Sequence, residues 1–108
     1  MSRRSKYTIA ISKYDLPNRK KSTLSKFFRI PRTLLDDAYD RGVGAYKTNP
    51  ASVRKGVVSE EQWATARTYK FIVNTLKARK GEKVPIGRGH DFDLVEDAVK
   101  FSDYVPQQ

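Results

Sequence analysis

The chain has 108 residues, 38% of them apolar, and a formal net charge of +10 at pH 7. This length suits one small domain with a modest core. Cysteine is absent, which excludes a disulfide framework and thiolate metal ligands. No apolar run approaches the roughly 20 residues that a membrane-spanning helix needs, and the first residues are too polar for a signal peptide. We therefore expect a small domain without a membrane span.

The charge is unevenly distributed along the chain. Residues 1–32 contain ten lysines and arginines and a single acidic residue, whereas residues 81–108 contain three basic and six acidic residues. Such a polarised chain favours contact with a polyanion at its basic end, or head-to-tail contact with another charged surface. The alternative is a solvated basic face followed by a flexible tail.

The first segment, residues 1–21, is predicted to be a basic extended arm. Residues 7–12 alternate loosely and include β-branched side chains, which predicts one short strand. Aromatic residues are interleaved with the basic ones and would be able to stack on bases, although Phe27 and Phe28 also suit a core. The basic candidates for contact with protein or phosphate are Arg3, Arg4, Lys6, Arg19, Lys20 and Lys21.

Two helices are predicted after the arm. The first has Ser22 as its N-cap and places three apolar residues on one face. Pro31 suits the first turn of the second helix, which extends over residues 32–41 and ends at Gly42 as a C′ residue with positive φ. The buried stripe of this second helix is predicted to contain Leu34, Leu35, Ala38 and Tyr39.

A connection of about 16 residues is predicted after Gly42, which is long for a compact domain and typical of a functional loop. Gly44 is expected to let the chain pass close to the next helix, with Tyr46 placed against that helix. Asn49-Pro50 favours a turn within the loop. The loop's own candidates for contact with a partner are Arg54 and Lys55.

A third helix is predicted over residues 60–79, where Ser59 and Gln62 form a capping box. Trp63 is predicted either to pack in the core against the preceding helix or to be an exposed interface anchor. Arg67 follows one turn later, and is expected to stack on the indole or to pair with Asp40. The predicted apolar stripe of this helix contains Trp63, Ala66, either Tyr69 or Lys70, Val73 and Leu76, with Ile72 beside them.

A last short helix is predicted over residues 92–102, after a loop, with Asp91 as its N-cap. Its inward side chains are expected to be Leu94, Val95, Ala98 and Val99, with Phe101 as a further candidate. The predicted fold is therefore mainly α. It is a small bundle of three to four helices within residues 22–103, with the basic arm before it and a short tail at 104–108.

The sequence offers no recognisable catalytic constellation. Its one histidine, His90, stands beside Asp91 on a glycine-rich loop, and a zinc site needs more nitrogen or sulfur ligands than this. Gly42-Val43-Gly44 is too short for a dinucleotide fingerprint, and it follows a helix rather than a strand. We therefore predict a protein without catalytic residues, metal ligands or a cofactor.

A specific string of motif residues lies between residues 34 and 76. It consists of Gly42-Val43-Gly44-Ala45-Tyr46, Thr48-Asn49-Pro50, Ser52-Val53-Arg54 and Gln62-Trp63-Ala64-Thr65-Ala66-Arg67. This string resembles a short, largely uncharacterised domain that recurs in proteins of large double-stranded DNA viruses and tailed phages. The resemblance implies a viral origin, and it supplies no activity, catalytic residue or fold. The candidate motif core is Gly42, Gly44, Tyr46, Trp63 and Arg67.

Two functions follow as hypotheses. The first is a non-enzymatic structural component of a virus particle, such as a minor capsid, head or connector-associated protein, which bridges larger viral structural proteins. The second is a small basic protein that is packaged with the viral genome or acts on it, and binds nucleic acid through backbone phosphates in a salt-dependent manner. Either protein is expected in the virion, after assembly in the interior of the host cell.

Overall fold

A computed structural model describes residues 6–48, 60–84, 86 and 91–106, and these residues form five helices. The helices are α1 Lys6–Ser12, α2 Lys21–Phe28, α3 Arg32–Thr48, α4 Glu60–Arg79 and α5 Phe92–Phe101. No strand occurs in these residues. The predicted mainly α fold is therefore confirmed, with five helices in place of three or four.

Helix α4 is the centre of the fold, because α1, α3 and α5 all pack against it, while α2 packs against α3. It is buried on more than one side, so its buried residues include polar ones and do not form a single stripe. The predicted stripe is confirmed at Tyr69 and Leu76, which are buried, and at Val73, which packs against the core cluster. It is wrong at Trp63 and Ala66, which are only half-buried and lie outside that cluster. The residues of α4 that are buried are Ala64, Thr68, Tyr69, Phe71, Ile72, Asn74, Thr75 and Leu76.

Residues 6–12 form a helix, so both the strand predicted at 7–12 and the extended arm are wrong for this stretch. The decisive spacing is that of Tyr7, Ile11 and Tyr14, which lie at i, i+4 and i+7 and turn one face toward the core. Ile11 is fully buried. The rings of Tyr14, Phe27 and Phe28 pack edge to face with centroids 4.9–5.8 Å apart, so this aromatic group belongs to the core and its inner rings are not free to stack on bases.

The N-cap position of α2 is Lys20, two residues before the predicted cap Ser22, and no side chain caps the helix there. Instead, the Asn18 Oδ1 atom accepts hydrogen bonds from the Lys20 N–H at 3.0 Å and from the Thr23 hydroxyl at 2.6 Å. Asparagine stabilises such turns because its short side chain reaches backbone groups two residues ahead. The turn that leads into α2 is therefore fixed by a side chain outside the helix.

Helix α3 continues through Gly42 to Thr48, so the predicted end of the helix at Gly42 is wrong. Gly42 does not have a positive φ; its role is to allow close contact with α4. A Cβ atom on Gly42 would lie 2.8 Å from the Ala64 Cα and 3.2 Å from the Ala64 Cβ, whereas a Cβ on Gly44 would have no neighbour within 4 Å. The close approach expected at Gly44 therefore occurs two residues earlier.

These two glycines form a matched pair for mutation. Gly42→Ala should destabilise the protein, because the clash with the Ala64 backbone costs about 1–3 kcal/mol and exceeds the helix-propensity gain of about 0.5–1 kcal/mol. Gly44→Ala should stabilise it by about 0.5–1 kcal/mol, because only the propensity gain applies there. Urea unfolding of both variants measures the difference, and a stabilising Gly42→Ala would contradict the close contact.

Candidate functional site

The motif arginine, Arg67, belongs to a cluster of two arginines and two aspartates that joins three helices. Its Nε and Nη2 atoms donate to the two carboxylate oxygens of Asp91, each at 3.0 Å. Arg41 of α3 donates to Asp91 at 3.2 Å and to both oxygens of Asp93 at 2.8 and 2.7 Å. Arg67 was predicted to pair with Asp40 or to stack on the indole of Trp63. Its partner in the structure is Asp91 instead.

Asp91 is the buried centre of this cluster, with a side chain only 3% exposed. Asp91 stands at the N-cap position of α5 as predicted, but its backbone has φ 51° and its carboxylate makes no capping bond to the helix. Aspartate is one of the few residues that tolerate this left-handed conformation. The carboxylate is thereby turned away from its own helix and toward the arginines of α3 and α4.

Arg41 and Asp93 form an ion pair on the exposed side of the cluster. The hydrogen bond from Arg41 lowers the pKa of Asp93 to about 2, and the same bond raises the pKa of Arg41 above its ordinary value. Bidentate arginine–carboxylate pairs of this kind combine charge with fixed geometry. Because these charges are matched within the protein, the cluster serves to hold α5 on α3 and α4.

A third arginine, Arg79, joins the other end of α5 to the end of α2. Its Nη1 atom donates to the carbonyls of Phe28 at 2.6 Å and Tyr104 at 3.0 Å, and its Nη2 atom donates to those of Arg29 at 2.8 Å and Ala98 at 2.9 Å. A cation is favourable at helix C-termini because the carbonyls there carry partial negative charge. Desolvation lowers the pKa of Arg79.

An open basic groove lies on the opposite side of α3 and α4, in front of the first turn of α2. Its volume is about 320 Å³. Lys21 is held in place there, because its Nζ atom lies 3.1 Å from Asp36 and 4.2 Å from the centroid of the Tyr39 ring. Arg19 and Lys20 are exposed. The residues that line the groove are Arg19, Lys20, Lys21, Leu24, Tyr39, Glu61, Thr65, Thr68 and Tyr69.

The structure therefore separates the predicted site residues into two groups. Gly42 and Arg67 act inside the fold, whereas Arg19, Lys20 and Lys21 meet at the groove. Tyr46 is half-buried near the end of α3, and the half-buried Trp63 has an enclosed indole N–H without a partner in the described part of the chain. The predictions for Arg3, Arg4, Arg54, Lys55 and the Lys6 side chain lie outside the described residues.

Sequence reasoning missed Arg41, Asp93 and Arg79. The Asp91-Phe92-Asp93 pattern at the start of α5 was a usable signal, since two carboxylates beside a predicted helix start invite cationic partners. No comparable signal existed for Arg79, because its partners are backbone carbonyls.

A comparison with protein families identifies one match. Residues 1–91 match a family of unknown function, DUF5824. The chain belongs to this family. The DUF5824 match covers α1 to α4 and ends at Asp91, so it contains both arginines of the cluster and the buried carboxylate between them. No curated protein and no solved structure matches the chain at a significant level.

The structure of this DUF5824 protein bears on membranes and on metal binding. None of the helices in the described ranges is long and apolar enough to cross a membrane. Residues 6–48, 60–84, 86 and 91–106 also contain no group of three or more histidine, cysteine and acidic side chains able to hold a metal ion.

Removal of the buried charge should be more costly than removal of the exposed one. Asp91→Asn leaves Arg67 without a counter-charge in a largely buried site and should destabilise the protein by about 3 kcal/mol or more. Asp93→Asn removes a carboxylate that is 65% exposed and should cost about 1 kcal/mol or less. Asparagine tolerates the positive φ of residue 91, so chemical denaturation compares the charges alone. Equal losses would contradict the central position of Asp91.

The lowered pKa of Asp93 predicts a pH dependence. A carboxylate with a folded-state pKa of about 2 and an ordinary value of 3.8 stabilises the protein above pH 3.8, and this contribution disappears as the pH falls toward 2. The stability difference between the wild type and Asp93→Asn should therefore shrink across this window. Urea unfolding from pH 5 to pH 2 measures it, and a difference independent of pH would be the contrary result.

Proposed function

We propose that the protein is a non-enzymatic structural component of a virus particle, which bridges larger subunits as a minor capsid, head or connector-associated protein. The resemblance of its motif to a domain of viral and phage proteins is one support. The other is the distribution of charge, because three arginines are bound within the fold whereas several other basic residues are exposed.

The observation that carries this proposal is the contrast between inward and outward cations. Arg41, Arg67 and Arg79 are bound to carboxylates and carbonyls within the fold. In contrast, four exposed basic side chains in the first half of the chain form no ion pair with any residue that the structure describes, namely Lys13, Arg19, Lys20 and Lys26. A rigid scaffold with such an outward basic face suits contact with an acidic surface on a neighbouring subunit.

Nucleic-acid binding is the second candidate, and the same outward cations favour it through phosphate contacts. Stacking supports it less, because Tyr14 and Phe28 are buried in the core and Lys21 covers a face of Tyr39. Binding of this kind would therefore depend on backbone phosphates and carry little sequence information.

Fractionation of purified particles separates the two candidates. The particles are opened, digested with nuclease and sedimented, and the protein is followed by immunoblotting in the shell and in the released material. A structural protein should remain with the shell at constant copy number after the nucleic acid has been removed. Release together with the digested genome would favour the second candidate, and absence from washed particles would contradict the proposed function.

A further inference from the structure

The basic groove presents two cations on a preorganised turn. Asn18 binds the Lys20 N–H and the Thr23 hydroxyl, so the backbone that carries Arg19 and Lys20 is fixed before any partner arrives. Both side chains are exposed and neither forms an ion pair with a residue that the structure describes. A fixed backbone reduces the entropy that is lost on binding, which favours these two residues as recognition groups.

The third cation of the groove has a different role. Lys21 is neutralised by Asp36 at 3.1 Å and rests on the ring of Tyr39 at 4.2 Å, which holds one wall of the groove in position. Thr65 and Tyr39 are half-buried residues of the same lining, and their hydroxyl groups are able to donate or accept hydrogen bonds. The groove therefore combines two available cations with neutral polar groups.

The surroundings of the groove limit the charge of its ligand. Glu61 belongs to the lining, and the carboxylate of Asp36 lies 3.1 Å from the Nζ atom of Lys21. A phosphodiester chain carries a charge on every nucleotide, so these carboxylates would repel part of it, and the rings available for stacking are covered or buried. A peptide segment, in contrast, places acidic side chains only where cations meet them.

We propose that this groove binds a short segment of a partner protein that presents one or two carboxylates to Arg19 and Lys20. The inference rests on the proposed bridging function, and it names the chemistry of the partner segment. About 320 Å³ accommodates a few side chains, so the segment contributes a small acidic contact within a larger interface.

Amide chemical shifts of the ¹⁵N-labelled full chain test this proposal. The probes are an eight-residue peptide with two adjacent glutamates among neutral residues, the same peptide with glutamines, and a ten-nucleotide oligothymidylate. The glutamate peptide should shift the amides of residues 19–23 and of Thr65, and the effect should weaken as salt is added. The glutamine peptide should bind about tenfold more weakly, which is the factor that two exposed ion pairs supply together.

Two charge-reversed variants serve as a matched pair. Arg19→Glu with Lys20→Glu should lower the affinity for the glutamate peptide about tenfold or more. Lys80→Glu with Lys83→Glu makes the same change in net charge at exposed residues and should leave the affinity unchanged. A helical rise of about 1.5 Å per residue places Lys80 about 16 Å along the α4 axis from Tyr69, which lines the groove. Thermal unfolding verifies that both variants are folded.

The outcomes separate this proposal from the bridging function on which it rests. Equal or absent binding of the two peptides, or unchanged binding by the Arg19/Lys20 variant, would overturn the groove assignment while a shell location still supports the bridging function. Tighter binding of oligothymidylate at the same amides would replace the protein segment with nucleic acid. If the protein binds the glutamate peptide selectively but is absent from particles, the groove assignment is supported and the bridging function is refuted.

Discussion

The contact between Gly42 and Ala64 is the constraint on which the arrangement of the other groups depends. It brings the backbones of α3 and α4 closer than any side chain at position 42 would permit. Arg41 precedes the glycine and Arg67 lies one turn beyond the alanine, so the same contact brings two guanidinium groups together. Two like charges at this distance repel each other unless a carboxylate lies between them.

Asp91 supplies that carboxylate, and it comes from the segment that leads into α5. The close helix pair therefore determines where the last helix begins. Arg79 acts at the opposite end, where it binds carbonyls of α2, of α5 and of the residues after α5. Planar guanidinium groups suit both positions, since each has to satisfy several acceptors at fixed angles, which a lysine ammonium does less well.

The helical class of the fold followed from local patterns, because apolar residues at helical spacing bury one face wherever the helix lies. This holds for α5, whose predicted residues Leu94, Val95 and Ala98 are buried. Local patterns failed where a distant partner decides the outcome. A glycine after a run of helix-forming residues is typical of a helix end. The reason for a glycine inside α3 is its close contact with Ala64 on another helix, which the local pattern does not show.

The candidate site shows the same division between local and distant information. The run Arg19-Lys20-Lys21 was predictable as a contact because its charges are visible in the sequence, although the groove around it depends on α3 and α4. The role of Asp91 was not predictable from the capping rule, because its partners lie 24 and 50 positions away in the chain. Residues 7–12 were misjudged because β-branched side chains outweighed the longer spacing from Tyr7 to Tyr14.

The attachment of α5 at both of its ends has a consequence for the integrity of the molecule. The groups on the α5 side of these contacts, from the Asp91 carboxylate at its start to the Tyr104 carbonyl beyond its end, belong to one continuous stretch of 16 described residues. A cleaved peptide bond between α4 and α5 would remove the effective concentration that the connection provides, yet it would remove none of these contacts. The helix is thus a separable piece that is docked by its own side chains and backbone, and a nicked molecule would retain its shape as a two-fragment complex.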